Sequence, residues 1–301
     1  MAQRATKSFD PADVITSREN RWLKRFRAAL RGTGPAEDEP IGVEGPKLVE
    51  DALRSGLEAE ALLVSESAEA ALDAILSAAS ASEAGIPRSR ILRTTAKLFA
   101  SVAGTEAPQG IAALFRAPGW EFEDILRGVA DENGARSADS TLIVVMAGVQ
   151  DPGNVGTIVR SAEAFGATGA TATRGTADPW SPKALRASAV SALRLPLLRG
   201  IAIPVLLAQL KMAQVKIIAA SARSVTDPSS AESRVAAAYP DLRKPSAIFV
   251  GNEGTGLAPE VLHSADGTIS IPMHPSVESL NAGVAASIAL FEAARQRTRA
   301  E

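Results

Sequence analysis

The chain has 301 residues, 46% apolar and 22% charged, with a formal net charge of −2: too long for one average core and comfortable for two. It has no cysteine and only two histidines, His263 and His274, which excludes a disulfide framework and thiolate chemistry and leaves no metal centre expected. With no signal-peptide core at the start and no uninterrupted apolar run of about 18 residues, a reduced, cytoplasmic compartment is expected.

In chain order, "ITSRENRWLKRFRAAL" reads as a helix with Ser17 as N-cap and Trp22, Phe26 and Leu30 on one stripe. A loop from Gly32 to Pro40 leads to a short strand at Ile41–Val43 and a helix over Leu48–Leu57. A strand at Ala61–Val64, a helix at Glu69–Ala79, a strand at Ile91–Leu92, a helical "TAKLFASVAG" and a closing strand in "QGIAALFRAP" follow. This alternation predicts a small α/β layer domain, residues 1–118, without an obvious catalytic constellation. Residues 119–139 have the polar composition of a linker.

From Thr141 the pattern restarts, giving a second domain over residues 140–301. Strands are expected at 142–149, 169–173, 194–198, 215–221, 246–250 and 268–272, with helices between them. The fold class is therefore α/β, with a mostly parallel sheet covered on both faces. The first helix of this domain is expected to recover its periodicity over Thr157–Phe165. The last helix, Leu280 to Arg297, has an apolar stripe of Leu280, Val284, Ile288 and Phe291, with small residues (Ala282, Gly283, Ala285, Ala286) in its first turns.

Three strand ends in this domain carry polar loops. "VVMAGVQDPGNVGTIVRSAEAFGA" (Val144–Ala167) is strand, glycine-bearing turn and helix. It does not hold a dinucleotide, because Asp151 stands where the first glycine of G-x-G-x-x-G belongs and the next strand ends in Arg174 rather than an acid. No P-loop pattern occurs in the chain. "IFVGNEGTGL" runs into Gly251, Asn252 and Glu253, and "ISIPMHPSVESLNAGVA" brings Ser279 and Asn281 to the mouth of the last helix. Singly, each is explained blandly: a tight turn, a loop carboxylate, Ser279 as an N-cap. Converging on one edge of a parallel sheet, they would assemble Asn154, Arg160, Glu253, Ser279 and Asn281. That set is rich in hydrogen-bonding groups and poor in acids and bases, which suits a reaction with an excellent leaving group, where positioning is most of the task.

Charge is uneven. Residues 1–31 hold eight Lys/Arg against three acids, and residues 174–223 hold eight against Asp178 alone. Such runs are usually solvated faces, yet two of them in a slightly acidic chain also fit an electrostatic footprint for a phosphate backbone.

The ordered trio "NVGTIVRSAEAFGA", "FVGNEGTGL" and "ISIPMHPSVESLNAGVAASI" resembles the three signature motifs of the SpoU/TrmH family of RNA ribose 2′-O-methyltransferases, in the knotted SPOUT superfamily. "VEGPKLVEDALRSG" and "APQGIAAL" resemble pieces of the RNA substrate-binding domain that precedes the catalytic domain in many members. The resemblance implies a deep C-terminal trefoil knot and S-adenosyl-L-methionine as cofactor. It implies an adenosine held by backbone at Gly251, Ile271 and Leu280, with Met273 and Asn281 nearby. It assigns Asn154, Arg160, Glu253, Ser279 and Asn281 to the active-site positions, and it implies a homodimer through the catalytic domain. One departure is visible: Pro275 or Ser276 stands where many members have glycine.

The reading that follows is methyl transfer to a ribose 2′-hydroxyl in structured RNA, 23S ribosomal RNA first because an N-terminal domain of this type is more usual in those members. A tRNA target keeps the chemistry and changes the substrate. A non-catalytic RNA-binding or ribosome-assembly protein of the same fold is the alternative of another class, opposed by the presence of all five polar residues.

Overall fold

The computed structural model describes residues 14–36, 38–81, 90–128, 140–221, 240–274, 276–277 and 279–298. The chain divides into two compact units, Met1–Ala117 and Pro118–Glu301.

The first unit contains β1 (Val14–Ile15), α1 (Arg21–Arg31), β2 (Ile41–Glu44), α2 (Pro46–Arg54), β3 (Ala59–Ser65), α3 (Glu69–Ala81), β4 (Ile91–Thr94), α4 (Ala96–Val102) and β5 (Ile111–Phe115). Its five-stranded sheet has the order β1-β4-β3-β5-β2. β4 runs parallel to both neighbours, and β5 antiparallel to β3 and β2. Helix α1 begins one turn later than expected. Asn20, not Ser17, is the N-cap, its side chain accepting from the Trp22 amide at 2.8 Å. That start turns the helix so that Leu23, Phe26 and Leu30 are buried against Leu98, Phe99 and Val102 of α4, while Trp22 sits half-buried at the margin.

The first helix of the second unit falls within the stretch expected to be a linker. Phe122–Arg127 forms helix α5, opened by a capping box between Glu121 and Asp124, and its Ile125 is fully buried in the core of this unit. Three apolar residues, Phe122, Ile125 and Leu126, packed on the core outweighed the polar composition around them; residues 129–139 lie outside the described residues. Then follow β6 (Leu142–Ala147), α6 (Pro152–Ala164), β7 (Gly169–Thr173), α7 (Pro182–Ser188), α8 (Ser191–Arg194), β8 (Leu197–Ile201), α9 (Ile203–Met212), β9 (Lys216–Ser221), β10 (Ser246–Gly251), α10 (Pro259–Ser264), β11 (Gly267–Ser270) and α11 (Ala282–Thr298).

The sheet is wholly parallel, in the order β11-β9-β10-β6-β7-β8. β8 starts at Leu197 rather than 194, because Ser191–Arg194 makes a last helical turn and Pro196 cannot continue it. Ile143 and Val145 of β6 join Phe249 of β10, Leu206 and Leu210 of α9 and Val261 of α10 in one core. Helices α6, α7 and α11 pack together on the other side. β6 and β10 are neighbours at the centre, but β6 continues to β7 on one side and β10 to β11 beyond β9 on the other. This is the point of an open parallel sheet where loops part and leave a crevice.

α6 lies very close to α7. A Cβ added at Gly156 would stand 2.4 Å from the Ala184 carbonyl oxygen and 2.6 Å from the Ala187 Cβ. Backbone cannot yield as a side chain can, so Gly156→Ala is expected to destabilise this unit by about 2–3 kcal/mol. A thermal unfolding midpoint within a degree of wild type would contradict this packing.

α11 differs from its expected face. Its buried side is the small one, Ala282, Gly283, Ala286, Ala289 and Ala293 with Leu290, while Val284 and Phe291 of the anticipated stripe are 47% and 53% exposed. Small residues let the helix axis approach α6: a Cβ at Gly283 would stand 3.1 Å from Thr157 Cγ2. The large residues are thereby turned outward.

Candidate active site

The loop after β6 turns at Gly148, whose φ of +80° suits glycine alone, and enters α6 at Pro152, five residues before the expected start. Asp151 is the N-cap, Oδ2 accepting from the Asn154 amide at 3.1 Å, and its other oxygen accepts from Lys183 of α7. The Lys183 hydrogen bond holds the Asp151 carboxyl below its ordinary range. The cap fixes the first turn of α6, and with it the position of Asn154.

The loop after β10 is built by Asn252. Its Nδ2 donates to the Gly148 carbonyl at 2.9 Å, while Oδ1 accepts from the amides of Gly254 and Thr255 at 2.9 and 3.0 Å. Main-chain bonds between Asn252 and Gly256 close the turn, and Gly256 has φ +72°. Gly251 is confined by it: a Cβ there would stand 2.4 Å from the Gly256 carbonyl carbon. The role of Asn252 was missed from sequence. Its signal is an Asx turn, an asparagine followed two residues later by glycine.

Three loops then meet through side chains. Asn154 Nδ2 donates to Glu253 Oε1 at 2.9 Å, and Asn281 Nδ2 donates to Asn154 Oδ1 at 2.8 Å. Glu253 Oε2 accepts from the Gln150 amide at 3.4 Å. Asn281 Oδ1 accepts from the amides of Gly283 and Val284 at 2.9 and 3.2 Å, so Asn281 is the N-cap of α11 and Ser279 is not. Partial burial works against ionisation of Glu253, but hydrogen bonds from Asn154 and from backbone amides outweigh it and hold the carboxyl below its ordinary range. A depressed carboxylate contributes stability above its ordinary pKa and loses it as pH falls through the folded value. The three-loop chain is thus intact at neutral pH and gives way in acid.

Of the five polar residues expected together, the structure links Asn154, Glu253 and Asn281. Arg160, two turns along α6, is exposed and has no hydrogen-bond or ion-pair partner among the described residues. Ser279 is exposed and likewise outside the chain of bonds. Gly251, at the end of β10, and Ile271, Met273 and Leu280, after β11, are all half-buried. Among the described residues the main chain of Met273 and of Leu280 makes no hydrogen bond. Half-buried amides and carbonyls without partners are what an adenine edge can use, so this segment fits an adenosine-bearing ligand. Ser276 hydrogen-bonds His274 at 2.8 Å; Pro275 lies outside the described residues.

The basic run 174–223 presents less free charge than its composition. Arg194 makes two bonds to Glu163 at 2.7 and 2.6 Å, Arg199 pairs with Asp178 while stacking on Trp180, and Lys183 is held by Asp151. These three are braces within the fold, while Arg174, Arg186 and Lys211 stay exposed without an ion-pair partner among the described residues; Arg223 lies outside the described residues.

Comparison with known proteins gives a consistent picture. Residues 141–291 match the SpoU rRNA Methylase family, and residues 37–113 match the MRM3-like substrate binding domain. A 154-residue stretch is 38% identical to an uncharacterized tRNA/rRNA methyltransferase of Synechocystis sp., covering 51% of this chain and 53% of that one, so the match spans about half the length of that relative. Over 279 residues the chain is 30% identical to the 23S rRNA (guanosine(2553)-2′-O)-methyltransferase RlmP of Bacillus subtilis, covering 92% of this chain and 97% of that one. An AdoMet-bound rRNA methyltransferase from Sinorhizobium meliloti superposes with a TM-score of 0.68 at 26% identity, over 93% of this chain and 97% of that one.

Proposed function

The chain belongs to the SpoU rRNA methylase family and is an RNA methyltransferase with S-adenosylmethionine as cofactor, and from that premise we propose that its acceptor is a ribose 2′-hydroxyl in structured large-subunit ribosomal RNA. The observation that carries this reading is the hydrogen-bonded chain Glu253–Asn154–Asn281, which ties the loops after β6, β10 and β11 into one crevice. When bound, the cofactor supplies a methyl group on a sulfonium, whose departure needs no acid. In the proposal, backbone at Gly251, Ile271 and Leu280, with Met273 beside it, holds the adenosine. Asn154 and Asn281 set the loops so that the ribose oxygen can lie in line with the methyl group.

Glu253 is a poor base because its carboxyl is held below the ordinary range, so its role is to position Asn154. Arg160 faces the ribose and its phosphate. Its guanidinium has no hydrogen-bond or ion-pair partner among the described residues to satisfy first, and it stabilises the alkoxide as the hydroxyl proton passes to water. Ser279 lines the entrance.

The trefoil knot belongs to the same proposal. It is supported by the placement of β11 beyond β9 at one end of the sheet while α11, the next element, packs on α6. The assignment of the first unit to RNA binding belongs to it too, and rests on the match over residues 37–113. A homodimer is supported by the outward face of α11: Val284 and Phe291 are about half exposed, and the Phe291 ring stacks edge-on with Phe165 at 5.7 Å. An apolar patch of this kind on α11, which packs against the helix that carries Arg160, suits a second copy of the chain, with neither site complete alone. Phe291→Asp is then expected to give a monomer by light scattering and to abolish methyl transfer. Fully active wild-type protein with a monomer mass would rule the dimer out.

Mapping 2′-O-methyl positions in RNA from cells with and without this protein tests the substrate. Loss of one site in large-subunit ribosomal RNA is expected; loss confined to tRNA would move the target, and no change would favour a binding-only protein.

A further inference from the structure

Helix α1 precedes residues 37–113, the stretch that matches a substrate-binding domain, yet it is built into the same core. Its apolar side chains Leu23, Phe26 and Leu30 all point inward and are at most 2% exposed. What remains outside is cationic. Arg18, Arg21, Lys24, Arg25, Arg27 and Arg31 fall within residues 14–36, with Glu19 the one acid among them. Arg21, Lys24 and Arg31 are exposed on the helix, with Arg18 just before it. Lys24 is held by Glu19 at the surface, where such a pair is weak and open to exchange, while Arg25 is braced by the partly buried Glu60. Arg18 and Arg21 have no ion-pair partner among the described residues.

Trp22 organises this face. The guanidinium carbons of Arg21 and Arg25 lie 5.7 and 5.0 Å from its ring centroid. The ring is anchored against the core, so the two planar cations are held in place before any ligand arrives. Preordered arginine planes lose little side-chain entropy on binding a phosphate and can take it bidentately.

Resting on the methyltransferase reading above, we infer that the outer face of α1 is a second RNA-docking surface, gripping the sugar–phosphate backbone of the substrate. The occupant is RNA rather than an anionic membrane because Leu23, Phe26 and Leu30 face the core and the Trp22 ring packs against it with two guanidinium groups over it, so no apolar stripe is left to enter lipid. The contacts carry no base sequence, so α1 sets affinity and register while the loops of the second unit set which oxygen reacts.

The test uses the full chain and transcribed large-subunit ribosomal RNA. The triple variant Arg18→Gln, Arg21→Gln, Lys24→Gln is expected to raise the RNA Kd about tenfold or more at roughly 0.1 M salt. It should flatten the slope of log Kd against log salt by about two, since each phosphate contact contributes about 0.7–0.9. Cofactor affinity, thermal midpoint and the transfer rate at saturating RNA should stay at wild-type values. Glu19→Gln, which frees Lys24, should tighten RNA binding. Unchanged Kd and slope in the triple variant, with wild-type protein still methylating the RNA, would overturn the inference alone. Wild-type protein that shows the α1-dependent slope but transfers no methyl group would instead fault the activity. Tighter binding to phosphatidylglycerol vesicles than to RNA, lost in the triple variant, would also overturn it.

Discussion

Arg160→Ala is expected to leave S-adenosylmethionine affinity within about twofold of wild type and to lower single-turnover methyl transfer about 100-fold, close to 2.7 kcal/mol of transition-state stabilisation. The two effects separate because the proposed cofactor loops are those after β10 and β11, whereas Arg160 stands on α6, outside the Glu253–Asn154–Asn281 chain. Its removal breaks no hydrogen bond or ion pair among the described residues, so the fold should not suffer. Arg160→Lys should recover little. An ammonium carries the charge but not the planar fork that reaches ribose oxygen and phosphate together. If the lysine variant turns over near the wild-type rate, the guanidinium has no special role; if both variants do, Arg160 is a solvated helix residue.

Asn154→Asp is expected to be more damaging than Asn154→Ala, and in a pH-dependent way. The amide now donates to Glu253 at 2.9 Å and accepts from Asn281 at 2.8 Å. Alanine removes both bonds and should slow transfer about tenfold at any pH. Aspartate keeps the acceptor for Asn281 but sets a second carboxylate against Glu253. Two such groups at hydrogen-bond distance cannot both ionise cheaply, so one takes a proton with a raised pKa. At pH 8 both would be charged, the loops would be forced apart, and the rate should fall about 100-fold. As pH falls toward the carboxylate range the shared proton restores a hydrogen bond, and the aspartate variant should approach or pass the alanine variant. A pH profile parallel to that of the wild type would show that Asn154 and Glu253 do not face each other in the working enzyme.

Much of this architecture was legible in the sequence because the parallel strands are nearly unbroken apolar runs, as in Leu142–Ala147 and Ser246–Gly251, whose residues are almost all buried. The loop residues Asn154, Glu253 and Asn281 were legible as a set only because they fall at strand ends and because of their resemblance to a known motif order. Their bonding was not. Nothing in the spacing says that Asn281 caps α11 with one atom while reaching Asn154 with another, since that depends on where two helices start in space.

The misjudged stripe of α11 has a similar cause. Periodicity marks Val284 and Phe291 as an apolar face but cannot tell an internal partner from an external one. The opposite face of small residues is the one that packs, because it lets the helix close on Thr157 of α6. Charge runs mislead for the same reason: Arg194, Arg199 and Lys183 look like a footprint in one dimension and are braces in three. The cationic run in α1 is the reverse case, where the structure leaves the charge outside.

The most direct measurement supplies full-length protein with S-adenosylmethionine labelled in its methyl group and with large-subunit ribosomal RNA, then locates the label after alkaline hydrolysis. Methylation of a ribose 2′-oxygen blocks cleavage at that linkage, so the account predicts label in a single alkali-resistant dinucleotide, absent with Arg160→Ala at matched time. Label recovered on a base in a mononucleotide, or the same alkali-resistant product from Arg160→Ala at the wild-type rate, would contradict it.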